Sequence, residues 1–149
     1  MNSETALDRA TPGLQREPFI WPVRVYYEDT DAGGVVYYAN YLKFVERART
    51  EWLRAEGFEQ TDLAKAHRVA FVVRSAAIDY LKPARFNDSL QVTVELIKVG
   101  AGHIDLFQRV IREDELLASA TIKVACVGLV TMRPVRIPQI LATRIRTRI

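Results

Sequence analysis

Apolar and polar positions along this chain follow two periods. Over residues 41–55 the period is helical: Tyr41, Phe44, Val45, Ala48, Trp52 and Ala55 recur at three- and four-residue steps, while Lys43, Glu46, Arg47, Thr50, Glu51 and Arg54 fill the other side. One face is therefore built for burial. Asn40 is the expected N-cap, Gly57 suits the left-handed position just past the end, and Arg47 and Glu51 make an opposite-charge i,i+4 pair. At 1.5 Å per residue the run 41–56 spans roughly 24 Å, enough to cross a small domain.

Elsewhere the period is two. Residues 21–28 alternate Val23, Val25 and Tyr27 against Arg24 and Tyr26, which predicts a first strand. Residues 61–67 predict a short helix starting near Gln60 or Thr61. Residues 69–80, rich in Val and Ile, predict a long strand that breaks before Pro83, whose missing N–H cannot serve a central ladder. After the Asn87-Asp88 turn, Leu90, Val92, Val94 and Leu96 alternate with Gln91, Thr93 and Glu95. Gly100-Ala101-Gly102 links this strand to residues 104–111, and residues 112–115 turn the chain into Leu116, Ala118, Ala120, Ile122, Val124 and Cys126. Pro134 and Pro138 close the pattern. A sheet with one polar face needs apolar cover on the other, and only one long helix is available. The pattern thus predicts an α+β fold in which a curved antiparallel sheet wraps around one long central helix.

Composition narrows the class. The 149 residues, 49% of them hydrophobic, suit one domain with a real core. We expect that domain over residues 19–138, after a disordered leader at 1–18 that carries Pro12, Gly13 and Pro18, and before a basic, solvated tail at 139–149. The single cysteine, Cys126, excludes a disulfide within the chain and reads as a buried strand residue. No run approaches the apolar length of a membrane span, and the opening MNSETALDRATPGLQREP has no apolar signal-peptide core, so a cytoplasmic location is expected. From Leu116 onward there are six basic residues and no acidic one; subtracting them from the net +3 leaves −3 on residues 1–115. The basic end lacks the aromatic interleaving of a nucleic-acid surface, so no nucleic-acid partner is expected.

The candidate chemistry lies just before the long helix. Glu28, Asp29 and Asp31 fall within four residues, and Asp commonly serves turns by bonding nearby amides. Here Gly33-Gly34 follows, letting backbone approach a ligand closely, and then a helix start presents N–H groups and the positive end of the dipole. Such amides stabilise a developing oxyanion, and a nearby carboxylate acts as nucleophile or general base. This combination suits acyl transfer. The two histidines, His67 and His103, are far apart and have no cysteine partner, so no metal site is expected. Serine-hydrolase, Walker and dinucleotide glycine patterns are missing from the sequence.

The run VRVYYEDTDAGGVVYYANYLKFVERARTEWLR resembles the signature of the Tol-Pal-associated acyl-CoA thioesterases, a hotdog-fold branch related to 4-hydroxybenzoyl-CoA thioesterase. The likeness continues through RVAFVVRSAAIDYLKPARFND and covers roughly residues 21–138. It implies a hotdog fold, homodimers joined edge to edge and often paired into a homotetramer, and hydrolysis of acyl-CoA without a metal or redox cofactor. By the same resemblance Asp31 holds the catalytic aspartate position, as nucleophile or general base, and the backbone N–H of Tyr38 polarises the thioester carbonyl. Many members of this branch carry His at the Tyr38 position and the hydroxybenzoyl type carries Tyr, so a proton transfer by His is excluded there. The implied substrate contacts are Gly33 and Val35 beside the acid, with Arg85, Lys98 and Gly100, and Arg133 as a further cation, toward pantetheine and phosphates. Two other readings stand beside this one: an aromatic acyl-CoA thioesterase, suggested by Tyr38, and a non-catalytic scaffold that holds acyl carrier protein or lipid-synthesis enzymes at the envelope.

Overall fold

Strands form where the period is two, and helices where it is three to four. The computed structural model of the chain describes residues 17–149, so the expected leader, apart from Glu17 and Pro18, lies outside the described residues. The elements run β1 (Phe19–Arg24), α1 (Asn40–Ala55), α2 (Gln60–His67), β2 (Val69–Tyr80), β3 (Ser89–Val99), β4 (His103–Arg112), β5 (Glu115–Gly128) and α3 (Gln139–Arg146). All five strands join one antiparallel sheet in the order β1-β3-β4-β5-β2. Register shifts at Val73/Ser75 in β2 and at Leu96/Lys98 in β3 help bend the sheet around α1.

The central helix buries Tyr41, Phe44, Val45, Ala48, Trp52 and Leu53 against β1, β3 and β4. Leu53 replaces Ala55 on the expected face, and Ala55 is exposed. Gln108 fixes the helix to β4: its Nε2 donates to the Val45 carbonyl at 3.0 Å while its Oε1 accepts from Arg49 Nη1 at 3.1 Å. Gly57 takes φ +96° just past the helix end, as the stop signal predicts. Asn40 is not the cap. The helix starts at Asn40 itself, and its side chain donates to the Asp29 carbonyl at 2.8 Å instead of bonding its own helix. Glu51 pairs with Arg54 at 2.5 Å rather than with Arg47.

Two other expectations need correction. The first strand ends at Arg24, because the buried Asp29 carboxylate accepts the Tyr26 N–H at 2.8 Å and winds Tyr27–Asp29 into a 3-10 turn. Residues 139–149 are not a solvated tail. They contain α3, whose Leu141, Ala142 and Ile145 are buried in the main core. The basic residues that follow it are also used: Arg148, two residues past α3, grips Glu56, at the end of α1, with Nε–Oε2 at 2.6 Å and Nη2–Oε1 at 2.7 Å. Cys126 is buried in β5, and burial pushes its thiol pKa up, in keeping with a packing residue.

Candidate active site

The chain between β1 and α1 turns back on itself before the helix begins. Thr30 pairs antiparallel with Val36, the Asp31 N–H donates to the Val35 carbonyl at 2.9 Å, and the Tyr37 N–H donates to the Asp29 carbonyl at 3.0 Å. Gly34 makes the reversal at φ +80°, a conformation costly for any side-chain-bearing residue. Gly33 donates its N–H to Asp31 Oδ1 at 2.8 Å, and a Cβ at Gly33 would crowd that oxygen to 3.2 Å. The two glycines therefore serve the turn first. Asp31 anchors it with Oδ1 and stays exposed, and its Oδ2 has no hydrogen-bond partner among the described residues.

The three acids separate by environment. Asp29 is buried and structural, holding Tyr26 through its carboxylate and Tyr37 and Asn40 through its carbonyl. Glu28 is exposed on the 3-10 turn, and Asp31 sits at the glycine reversal.

The second arm leads into α1. Val36 is buried and donates its N–H to the Ala84 carbonyl at 2.8 Å, while Val35 bridges to Arg85. Beyond them the Tyr38 and Ala39 N–H groups find no acceptor among the described residues, as expected for donors at a helix start. Tyr38 lies three residues past Asp31's partner Val35, so roughly 10 Å of backbone or less separates them.

Four tyrosines frame that helix start. Tyr37 and Tyr38 pack at 4.7 Å between ring centroids, and Tyr80, the last residue of β2, meets Tyr38 edge-on at 6.2 Å and Tyr41 at 5.3 Å. The Tyr80 hydroxyl donates to the Tyr38 carbonyl at 3.0 Å, and the Tyr41 oxygen accepts the Ala84 N–H at 3.0 Å. Desolvation is the main cause that raises both hydroxyl pKa values, so both stay protonated at neutral pH. Val36, Tyr38, Tyr41, Tyr80, Leu81 and Pro83 line an open groove here, with Lys82 at its rim. Sequence reasoning missed Tyr80. It reads there only as the end of a strand, and what could have drawn notice is an aromatic residue three positions before Pro83.

Of the expected substrate contacts, Gly33, Val35 and Arg85 gather around Asp31. Lys98 and Gly100 do not. Ser89 opens β3 beside Arg24, and Lys98 lies nine residues further on, roughly 30 Å along a strand, at the opposite end of the sheet. Arg133 shares that far end, where its carbonyl accepts the Gly128 N–H. Gly100 has a local reason to be glycine, since a Cβ there would overlap the His103 ring in the β3–β4 connection. Among the described residues no group of three or more His, Cys, Asp or Glu could hold a metal ion.

Comparison with known proteins agrees with this architecture. Residues 25–145 match the thioesterase-like superfamily. An acyl-CoA thioesterase of Haemophilus influenzae, YbgC, is 52% identical over 121 residues, covering 81% of this chain and 89% of that protein. The crystal structure of a probable thioesterase from Bartonella henselae superposes with a TM-score of 0.79 at 32% identity, over 82% of this chain and 100% of that one. A 1,4-dihydroxy-2-naphthoyl-CoA thioesterase from Synechocystis gives 0.80 at 26% identity, over 87% and 96%.

Proposed function

The chain belongs to the thioesterase-like superfamily and has its hotdog fold, and from that premise we propose that it hydrolyses acyl-CoA to the free acid and CoA with Asp31 as the catalytic carboxylate. Acyl-CoA thioester hydrolysis is the activity its relative at 52% identity is named for. The observation that carries the assignment to Asp31 is the hairpin: an exposed carboxylate anchored by one oxygen, followed by the Tyr38 and Ala39 N–H groups, which stand unspent just before the helix.

The thioester carbonyl oxygen faces the Tyr38 N–H, where negative charge develops as the carbon becomes tetrahedral. Asp31 either adds to that carbon, giving an anhydride that water opens, or takes a proton from the water that adds. In both cases the CoA thiolate leaves. The reaction uses only water and the chain's own groups. Asp31→Asn retains the Oδ1 contact to Gly33 and loses the charge, so turnover should fall by several orders of magnitude with the thermal melt unchanged. Near-parent turnover in that variant sinks the assignment.

The working unit in this proposal is a homodimer or a pair of dimers in the cytoplasm. Its support is β2, a free sheet edge with Arg74, Ser75, Ala76 and Ala77 exposed, and no described helix is long and apolar enough to cross a membrane. A two-fold pairing of β2 with itself is antiparallel, so it brings one chain's Asp31 end toward the partner's Lys98 and Gly100 end. That arrangement gives Lys98 and Gly100 a path to the CoA arm, with Arg85 contributed from the Asp31 side.

The tyrosine-lined groove favours a second reading, an aromatic acyl group, and the Synechocystis relative is named for a naphthoyl substrate. A panel of straight-chain and benzoyl-type CoA thioesters decides between them by kcat/KM.

A further inference from the structure

The Tyr38 carbonyl stands where the regular helix pattern fails. In a continuing helix it would accept the N–H of Leu42, four residues on, but that group bonds Ala39 at 3.1 Å, and Tyr38 receives only a long 3.4 Å contact from the Tyr41 N–H. Its short and well-placed donor comes from another element, the Tyr80 hydroxyl at 3.0 Å. Tyr80 is anchored in turn. It closes the β2–β5 ladder opposite Ala118, and its ring is held edge-on by Tyr38 and Tyr41.

We propose that Tyr80 is a positioning residue for thioester hydrolysis, its hydroxyl holding the turn before α1 so that the Tyr38 and Ala39 N–H groups aim at the substrate carbonyl. This rests on the thioesterase reading above. The peptide bond is planar, so pinning the Tyr38 carbonyl also fixes the Ala39 N–H, which points the opposite way from the same plane. A hydrogen bond to the carbonyl further polarises that amide and strengthens its N–H as a donor. The sheet thereby sets the aim of groups that the helix start alone would leave free to swing. Burial and the neighbouring phenols keep the hydroxyl protonated, so it donates throughout the neutral range.

The contribution falls mainly in the transition state. Ground-state binding of the thioester uses its long CoA arm and acyl group, whereas aligned N–H donors matter most when the carbonyl oxygen becomes an oxyanion. Removal of a whole oxyanion donor costs about 100- to 1,000-fold in kcat, and loosening the support of donors that remain costs less, roughly tenfold.

The test is steady-state hydrolysis of one acyl-CoA by the parent protein, Tyr80→Phe and Asp31→Asn, each with a thermal melt. Tyr80→Phe keeps the ring contacts and loses only the hydroxyl. The expected result is a kcat about tenfold lower with KM within about twofold and an unchanged melt. Parent-like kcat in Tyr80→Phe overturns the inference, and so does a raised KM at unchanged kcat, which would make the hydroxyl a binding group. A loss of kcat that tracks a lowered melting temperature also overturns it, assigning Tyr80 to stability. The thioesterase reading fails separately, by a parent without turnover or an Asp31→Asn variant that retains it.

Discussion

Asp29 and Asp31 show how one residue type divides its labour by a shift of two positions. Both stand in the same acidic turn, and in sequence each is an Asp before a glycine pair, with no pattern to tell the buried one from the exposed one. The hairpin decides it. Asp29 faces inward, where its carboxylate and carbonyl together accept three hydrogen bonds, and Asp31 faces the solvent at the reversal. Asp29→Ala leaves the Tyr26 N–H without its acceptor and loosens the arm that carries Asp31. It should therefore cost about 1–3 kcal/mol in a denaturant titration and lower activity together with stability. Asp31→Asn should lower activity alone. The glycine pair was legible as a signal and only partly legible as a cause: sequence suggests close approach to a ligand, and the structure adds that Gly34 takes a left-handed φ and Gly33 makes room for the Asp31 carboxylate.

At the scale of elements, legibility followed how strongly one period dominated. The central helix and β2 to β5 lie close to where the spacing predicts them, with shifts at their ends, because long amphipathic runs leave a single buried face. The C-terminal helix was missed since five arginines between 133 and 148 outweighed a short apolar set, Leu141, Ala142 and Ile145, that falls on one face. Its weight in the fold is testable. Leu141→Ala should cost about 2–5 kcal/mol, while Arg146→Ala, on the exposed side, should stay within about 0.5 kcal/mol in the same melts. A second element-level contact joins the segment after β2 to the β4–β5 turn, where Glu115 takes Lys82 at 2.6 Å and Arg112 at 2.5 Å. Those hydrogen bonds hold the Glu115 carboxyl below its ordinary value of 4.5. A carboxylate whose pKa is lower folded than unfolded stabilises the protein fully above the unfolded value and loses that effect as pH falls through the folded one. Glu115→Gln should therefore flatten the fall in stability below about pH 4.5 and change little of its slope at neutral pH, as read by melts across an acid series.

For the molecule as a whole, the sheet has an end that carries Asp31 and an end that carries Lys98, Gly100 and Arg133, and one chain keeps them apart. No periodicity in the sequence encodes that separation, because it follows from strand order and register. The proposed β2 pairing predicts that the complete site exists only in the assembly. Val73 is half-exposed and Ala77 is exposed on this free edge. Replacing both with lysine places like charges across a two-fold contact, which opposes pairing, and adds charge to a free edge, which sheets tolerate. Sedimentation should then show a dimer or larger species for the parent and a monomer for the double variant. The monomer should keep its fold by circular dichroism, with kcat/KM reduced by at least about tenfold through loss of the partner's share of CoA binding. A folded monomer with the parent's kcat/KM would place the whole reaction within one chain, and Arg85 would then be left as the cation nearest Asp31 among the three proposed for the phosphates.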